Sequence, residues 1–199
     1  MKPLVHKIIF ASQNPGKIRE VKSILAGNDL EIISLIDLND SDDIIEDGVT
    51  FEENAKKKAI HVYNKYKIPV FADDSGLTVE QLDGRPGVHS ARYSGENATS
   101  DQNNLKLIKK LRGKTAPHYA SFICFVVYYD GNEFISADGE IKGRITLAPK
   151  GISGFGYDPL FIPGNYELTM AELDSEEKNK ISHRFLAFTK LKNKLKGKL

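Results

Sequence analysis

A short apolar run that meets two adjacent carboxylates constrains this chain most. Residues 69–72 (Pro-Val-Phe-Ala) are followed directly by Asp73, Asp74, Ser75 and Gly76. Four apolar residues before a polar turn indicate a buried strand in a sheet that is covered on both faces. Carboxylates just beyond the end of such a strand lie where open α/β sheets form their ligand crevices. The run therefore predicts an α/β fold with a candidate site at this point.

The two carboxylates themselves allow two interpretations. Asp73 and Asp74 would repel each other unless a cation or a proton lies between them. A divalent metal would remove that repulsion, and hard oxygen ligands suit Mg²⁺. An ordinary turn is the alternative, because Asp, Ser and Gly are all common turn residues. From these residues alone both interpretations stay open.

Length and composition exclude several classes of protein. A chain of 199 residues with 40% hydrophobic and 28% charged residues is typical of one globular domain or one two-lobed unit. A net charge of +1 gives no electrostatic reason to expect nucleic acid or a membrane as partner. The single cysteine, Cys124, allows no disulfide framework and no zinc pattern. No stretch approaches the ~20 apolar residues of a membrane span, so we expect a cytoplasmic protein.

The N-terminal region has the pattern of an anion site. A strand is expected at residues 7–11, followed by residues 12–17 (Ser-Gln-Asn-Pro-Gly-Lys) and a helix. Asn14 is a suitable N-cap, and Pro15 suits the first helical position. Free N–H groups and the helix dipole converge at such a helix start. Lys17 in the first turn is therefore expected to contact phosphate, although a solvent-exposed lysine is the common alternative.

The next segments predict a strand, an acidic loop and a second helix. The strand is expected at residues 31–36, and six of the eleven residues 37–47 are acidic, which usually indicates a solvated loop. Thr50 and Glu53 have the capping-box spacing that opens a helix. On that helix Asn54 and Lys58, four residues apart, share a face that differs from the apolar stripe. This polar strip either faces solvent or lines a cleft.

The second half of the chain predicts an antiparallel region and two further site segments. Residues 122–129 form the most apolar run, and 130–132 (Asp-Gly-Asn) are typical of a hairpin turn, so the sheet is expected to be mixed. Phe155 between two glycines is open to a flat ligand, unless it packs into the core. Ser182 is expected to cap the last helix, which places His183 and Arg184 in its first turn. Positive charge there opposes the helix dipole and hints at function.

Taken together and in order, these motifs resemble the inosine/xanthosine triphosphate pyrophosphatase family, the Ham1-like pyrophosphatases of non-canonical purine nucleotides. The similarity extends over nearly the whole chain. The motifs that carry it are Ser12-x-Asn14-x-x-Lys17-x-x-Glu20, Thr50-Phe51-x-Glu53-Asn54-Ala55, Ala72-Asp73-Asp74-Ser75-Gly76-Leu77, Gly84-x-Pro86-Gly87, Ser90-Ala91-Arg92-Tyr93, Gly154-Phe155-Gly156-Tyr157-Asp158-Pro159 and Glu177-Lys178 with Ile181-Ser182-His183-Arg184.

The resemblance implies an architecture and a reaction. The architecture is a single two-lobed α/β domain over residues 1–199, with a long mixed β-sheet flanked by helices and the active site in the cleft between the lobes. The family members are usually homodimers, and they require Mg²⁺. They hydrolyse ITP, dITP, XTP and dXTP between the α and β phosphates, releasing the monophosphate and pyrophosphate. This reaction removes deaminated purines from the nucleotide pool.

The resemblance also implies a role for each matched residue. Glu46 and Asp74 would ligate Mg²⁺ with support from Asp73, although another acid of residues 37–47 could replace Glu46. Asp74 would also be the base for the attacking water, and Lys58 would neutralise the leaving pyrophosphate together with Lys17. The substrate-binding residues would be Ser12, Gln13, Asn14, Pro15, Gly16 and Lys17 at the phosphates, Ser75, the base-stacking Phe155 with Gly156 and Tyr157, and Asp158, Lys178, His183 and Arg184 at the edge of the base.

Two other classes of protein are alternatives to this function. A nicotinamide-dependent oxidoreductase would need a glycine-rich turn and an acidic residue about 20 positions on, and the sequence has neither. A non-catalytic nucleotide-binding sensor could keep the phosphate loop and the stacking aromatic. It would not need Asp74 beside a metal or Lys58 on the phosphates, so the activity with and without Mg²⁺ separates the two.

Overall fold

The computed structural model describes residues 6–27, 30–196 and 198. The elements follow one another as β1 (His6–Phe10), α1 (Pro15–Ile24), β2 (Leu30–Ser34), α2 (Phe51–Tyr66), β3 (Val70–Val79), two short 3₁₀ helices (Glu80–Leu82 and Gly87–Arg92), α3 (Ser100–Leu111), β4 (His118–Tyr129), β5 (Phe134–Ile145), β6 (Phe161–Pro163), α4 (Ser175–Ile181) and α5 (His183–Leu195). Among these helices none combines the length and the apolar character that a membrane crossing requires.

The described strands form one mixed sheet in the order β2-β1-β3-β4-β5-β6. Strand β1 pairs in parallel with β2 and β3, whereas β5 and β6 are antiparallel. The expected hairpin residues 130–132 lie between β4 and β5, which are neighbours in the sheet. The predicted α/β fold with a mixed sheet flanked by helices is therefore confirmed.

Strand β3 differs from its prediction in one important respect. The strand was expected to end at Ala72, but it continues to Val79, so Asp73 and Asp74 lie in its middle and are buried. The prediction that they follow the strand end is wrong. Buried charges are tolerated when they are paired and hydrogen-bonded, and the partners described below meet that condition. Sequence reasoning placed the break where the polarity changed, because the partners are distant along the chain.

The chain divides into two compact units. Unit 1 contains the described residues up to Asp74, Cys124–Gly139 and those from Arg184 onward; unit 2 contains Ser75–Ile123 and Glu140–His183. Strands β3, β4 and β5 contribute residues to both units.

In unit 1 the sheet is covered on both faces, as the apolar strands predicted. Alternate residues of a strand point to opposite faces, and Ile8 and Ile9 of β1 belong to two different apolar clusters. The cluster around Ile8 includes Phe188 of α5, and the cluster around Ile9 includes Ala55 of α2. Phe71 of β3 belongs to the first cluster, and its ring packs edge-on against the ring of Phe188, with centroids 5.8 Å apart. The two helical layers thus fix the faces of β1 and β3.

Unit 2 has its own apolar core and a helix that the sequence analysis missed. Its buried residues include Leu77 of β3, Leu107 of α3 and Phe161 of β6. The missed helix is α4, which has only seven residues, most of them charged, and so shows no apolar periodicity. Asp174 is its N-cap and accepts a hydrogen bond from the Glu177 amide at 2.8 Å. That capping pattern was the available signal.

The acidic segment 37–47 was expected to be a solvated loop, but Asp40 anchors it. The buried Asp40 carboxylate accepts a hydrogen bond from Tyr66 at 2.7 Å and pairs with Lys65 at 3.0 Å. The amide of Asp42, together with these two groups, lowers the pKa of Asp40 to about 2 despite its burial. Gln13 donates to the backbone carbonyls of Asp40 and Asp42 at 3.2 and 3.1 Å. The loop is therefore held at both the α1 and the α2 side.

Candidate active site

The start of α1 forms the cap that the sequence predicted. Asn14 is the N-cap, and its Oδ1 accepts hydrogen bonds from the amides of Gly16 at 2.9 Å and Lys17 at 3.1 Å. Pro15 occupies the first helical turn. The Ser12 hydroxyl in turn accepts a hydrogen bond from the Asn14 amide at 3.2 Å. These contacts fix the helix start and place the Lys17 side chain.

Asp73 is the counter-ion for two cations of unit 1. Its Oδ2 lies 3.1 Å from Nζ of Lys17 and 3.3 Å from Nε of Arg184, whose guanidinium also bonds Glu20. Burial alone would raise the pKa of Asp73, but the charges of Lys17, Arg184 and Lys58 outweigh it and hold that pKa well below its usual range. Asp73 is therefore ionised, and it orients the Lys17 side chain at the start of α1.

Asp74 is held by the polar strip of α2. Its Oδ2 accepts a hydrogen bond from Nδ2 of Asn54 at 3.0 Å, and its Oδ1 lies 3.7 Å from Nζ of Lys58. The same ammonium lies 3.0 Å from Oε1 of Glu46. Burial raises the pKa of Asp74, and Lys58 offsets part of that effect. Burial would lower the pKa of Lys58, but the charges of Asp74, Glu46 and Asp73 raise it instead.

The two neighbouring carboxylates make their direct contacts with different groups. Asp73 contacts groups from α1 and α5, whereas Asp74 contacts groups from α2. Successive side chains of a strand point to opposite faces, which explains the separate partners. Each carboxylate thus has cations close by that reduce the repulsion between the two, and a metal at this place stays a prediction.

A metal site has to be judged on the remaining donors. Glu46 and Asp74 both approach Lys58, so two carboxylates from different elements converge on one place. Mg²⁺ is commonly held by one or two carboxylates, with water and substrate phosphates as its other ligands. The described residues contain no group of three or more His, Cys, Asp or Glu side chains suited to a metal. The residues present fit Mg²⁺ of this kind.

Asn54 is a site residue whose role the sequence analysis did not assign. Its Oδ1 accepts a hydrogen bond from the Gly48 amide at 2.8 Å while its Nδ2 donates to Asp74. One buried amide thus connects the end of the acidic loop with the candidate base. The signal was the spacing of four residues between Asn54 and Lys58. Glu20, the partner of Arg184, was likewise noted only as part of a motif.

In unit 2 the glycine-flanked aromatic is fixed by a buried ion pair. Asp158 Oδ2 accepts hydrogen bonds from the Phe155 amide at 2.8 Å and from Nζ of Lys178 at 2.7 Å. The Lys178 ammonium also lies 4.9 Å from the centroid of the Phe155 ring. Gly154 and Gly156 both adopt left-handed φ angles, of 78° and 63°. Phe155 is half-buried, so part of its side chain stays exposed to solvent.

The other predicted residues of unit 2 have distinct surroundings. Tyr157 is buried and donates its hydroxyl to the Ser90 carbonyl at 2.9 Å, so its side chain anchors the loop. His183 is buried and stacks on Phe122, with ring centroids 4.9 Å apart. Ser75 lies in β3 and is half-buried.

Each unit therefore brings together one set of predicted residues. In unit 1 these are Lys17, Glu46, Lys58, Asp73, Asp74 and Arg184, linked by the ion pairs described above. In unit 2 they are Phe155, Gly156, Tyr157, Asp158 and Lys178. Arg184 was predicted to recognise the base edge. Its observed partners are Glu20 and Asp73, and the base contact stays a prediction.

Comparison with known proteins decides the family. The model of the Ham1 family matches residues 8–194. This chain belongs to the Ham1 family. It is 46% identical over 193 residues to the dITP/XTP pyrophosphatase of Geobacter sulfurreducens, a match that covers 95% of this chain and 96% of that protein. It is 48% identical over 189 residues to the protein of the same name from Oceanobacillus iheyensis, covering 93% and 95% of the two chains.

Solved structures of Ham1 proteins have the same fold as this member of the family. The Ham1 protein of Coxiella burnetii superposes with a TM-score of 0.87 at 37% identity, over 96% of this chain and 98% of that one. The Staphylococcus aureus Ham1 protein superposes with a TM-score of 0.85 at 39% identity, over 97% and 100% of the two chains.

The two loop glycines provide a matched test of the site geometry. A Cβ at Gly154 would lie 2.1 Å from Asp158 Oδ2, whereas the described residues place nothing within 4 Å of a Cβ at Gly156. The left-handed backbone conformation costs an alanine about 1–2 kcal/mol at either position. We expect Gly154→Ala to lose about 1–3 kcal/mol more free energy of unfolding than Gly156→Ala, because only it displaces the buried Asp158. Urea denaturation of both variants measures the difference, and equal losses would contradict the described geometry.

Proposed function

We propose that this protein hydrolyses non-canonical purine nucleoside triphosphates, namely ITP, dITP, XTP and dXTP, to the monophosphate and pyrophosphate. The names of its relatives support this substrate class. The observation that carries the proposal is the buried Asp74, held by Asn54 and flanked by Lys58 and Glu46. A protein that only bound nucleotide would gain nothing from a buried carboxylate with a raised pKa beside a second acid.

In this proposal the start of α1 and Lys17 bind the triphosphate. The helix start offers a positive dipole end, and the Asn14 cap holds it in place. When a phosphate binds, Lys17 either gives up its contact with the Asp73 carboxylate or contacts both groups. The phosphate and the carboxylate are both anions, so each can accept a hydrogen bond from the lysine ammonium. Ser12, Gln13, Pro15 and Gly16 complete the loop, with Gln13 fixing it to the acidic segment.

Asp74 is the proposed base for the attacking water. Burial raises its pKa, which brings a carboxylate closer to the pKa that suits a base near neutral pH. The hydrogen bond from Asn54 orients one oxygen and leaves the other toward Lys58. Lys58 neutralises the charge that develops on the departing pyrophosphate, which is the main electrostatic task in phosphoryl transfer.

The proposed cofactor is Mg²⁺, held by Glu46 and Asp74 with Asp73 nearby in the strand. Bound there, the ion would neutralise phosphate charge and polarise the phosphoryl group. The donor set, two carboxylates that converge on one ammonium, supports this choice of a hard cation.

Base recognition is assigned to unit 2. Phe155 would stack on the purine, and the Lys178 ammonium beside its ring supplies a donor. Inosine and xanthosine carry a 6-oxo acceptor where adenosine has an amino donor. A donor such as Lys178 at the edge of the base, with His183 as a further candidate in unit 2, would therefore favour the deaminated bases. The contact predicted for Arg184, a residue of unit 1, stays a separate prediction.

The resemblance also implies a homodimer and a cytoplasmic location. Both stay predictions, and sedimentation of the purified protein at several concentrations tests the first. A monomer at all concentrations would contradict it.

Asp74→Asn tests the proposed reaction directly. We expect turnover of ITP to fall by on the order of 10²–10⁴-fold, because the base is lost, while nucleotide binding is largely retained. Pyrophosphate release from ITP, with and without Mg²⁺, measures turnover, and equilibrium binding of ITP provides the control. A variant that kept more than about a tenth of wild-type kcat would contradict the assignment of Asp74. A wild-type protein that bound ITP and released no pyrophosphate would favour the sensor.

Glu46→Gln and Asp47→Asn test the second metal ligand as a matched pair. Glu46 lies 3.0 Å from the buried Lys58, whereas the exposed Asp47 pairs with Lys57 at 2.5 Å. We expect Glu46→Gln to raise the Mg²⁺ concentration for half-maximal activity by about tenfold or more, and Asp47→Asn to leave it unchanged. Mg²⁺ titrations of pyrophosphate release give both values. If the two variants respond alike, another acid of the loop is the ligand.

Lys178→Ala tests base recognition, with the exposed Lys180→Ala of the same helix as control. Guanosine shares the 6-oxo group with inosine, so loss of a donor to that oxygen should affect both bases alike. We expect the ITP-over-ATP ratio of kcat/KM to fall by about tenfold, while the ITP-over-GTP ratio stays nearly constant. Should kcat/KM fall for all three nucleotides while both ratios stay constant, Lys178 holds the nucleotide without reading position 6.

A further inference from the structure

Two adjacent asparagines of α3 are buried and have different partners. Asn103 donates to the Ala91 carbonyl at 2.9 Å and accepts from the Ser94 amide at 2.7 Å. Asn104 donates from Nδ2 to the Gly156 carbonyl at 3.0 Å. Only the second bond leads to the loop that carries Phe155.

The loop is fixed at three successive residues by three different groups. Asp158 holds the Phe155 amide, Asn104 holds the Gly156 carbonyl, and Tyr157 is anchored through its own hydroxyl. Gly156 has a left-handed φ of 63° and no side chain, so its peptide carbonyl has little other restraint. The Asn104 bond therefore selects one orientation for the Gly156–Tyr157 peptide, one residue beyond the aromatic residue.

The second polar atom of Asn104 shows that the side chain does more than fill space. Its Oδ1 is buried and has no hydrogen-bond partner among the described residues. A buried acceptor without a partner costs stability, and an apolar residue of similar shape would avoid that cost. The amide is explained by the bond it donates to Gly156.

We propose that Asn104 is a positioning residue for base binding, which acts by fixing the Gly156 carbonyl and through it the ring of Phe155. The inference rests on the proposed function, because it takes Phe155 as the group that stacks on the purine. Asn104 itself does not touch the substrate in this scheme. It sets the angle at which the aromatic face meets the base.

The test uses Asn104→Leu, with Asn103→Leu as the matched control. Both variants remove a buried amide from the same helix, so a general loss of packing should appear in both. We expect Asn104→Leu to raise KM for ITP roughly tenfold with little change in kcat, because stacking contributes to binding of the base. Asn103→Leu should lower the melting temperature and leave KM within about twofold, since it does not contact the loop. Equal effects of the two variants on KM would overturn the proposal.

A double-mutant cycle with Phe155→Leu separates this inference from the function it rests on. If Asn104 acts through the ring, Asn104→Leu should add little to KM in the Phe155→Leu background. Additive effects would overturn the role of Asn104 and leave the stacking role intact. If Phe155→Leu instead kept the wild-type KM for ITP, the stacking role of Phe155 would be wrong. The inference about Asn104 would then be wrong as well.

Asn104→Asp distinguishes the donor from the shape of the side chain. Aspartate has nearly the same shape but presents a carboxylate oxygen to the Gly156 carbonyl, so at pH 8 it should raise KM at least as much as leucine. Wild-type KM in this variant would overturn the proposal. If Asn104→Leu fails to fold, Asn104→Asp provides the test in its place. Thermal unfolding of each variant establishes whether that variant is folded.

Discussion

The structure of unit 1 depends on the separation of two adjacent negative charges. Asp73 and Asp74 follow each other in β3, and each is compensated from a different layer of helices. Asp73 meets Lys17 and Arg184, while Asp74 meets Asn54 and Lys58. The alternation of a β-strand makes this possible, because consecutive side chains leave on opposite faces. Two carboxylates can therefore be buried side by side, each with direct contacts of its own.

This arrangement gives the two neighbouring aspartates different pKa values. The pKa of Asp73 is held low by its cations despite burial, so it stays ionised and orients Lys17. The pKa of Asp74 is raised by burial, which Lys58 only partly offsets. One strand thus supplies a fixed counter-ion on one face and a group suited to proton transfer on the other. Pairs of titratable groups whose environments separate their pKa values in this way are typical of catalytic sites.

Much of the fold and site could be predicted from local patterns, and the failures share a cause. The Asn14 cap and the mixed sheet could be predicted, since caps and hairpin turns are encoded by neighbouring residues. The end of β3 was misplaced because the partners of Asp73 and Asp74 are far away in sequence, including Arg184, 111 residues on. Helix α4 was missed because it is short and charged. Local polarity cannot show which charges will find distant partners.

The packing of β3 also determines the face of the sheet on which each of the two acids lies. Phe71 leads into the cluster with Phe188, whereas Val70 and Ala72 face the small Ala55 of α2. A slip of the strand by one position would turn both carboxylates to the other face and would put Ala72 or Ser75 in place of one of them, so one group of cations would lose its counter-ion. The same slip would turn the Phe71 ring from the cluster around Ile8 to the cluster around Ile9, which contains Ala55. The apolar pattern that fixes Phe71 therefore also fixes the surroundings of the two aspartates that follow it.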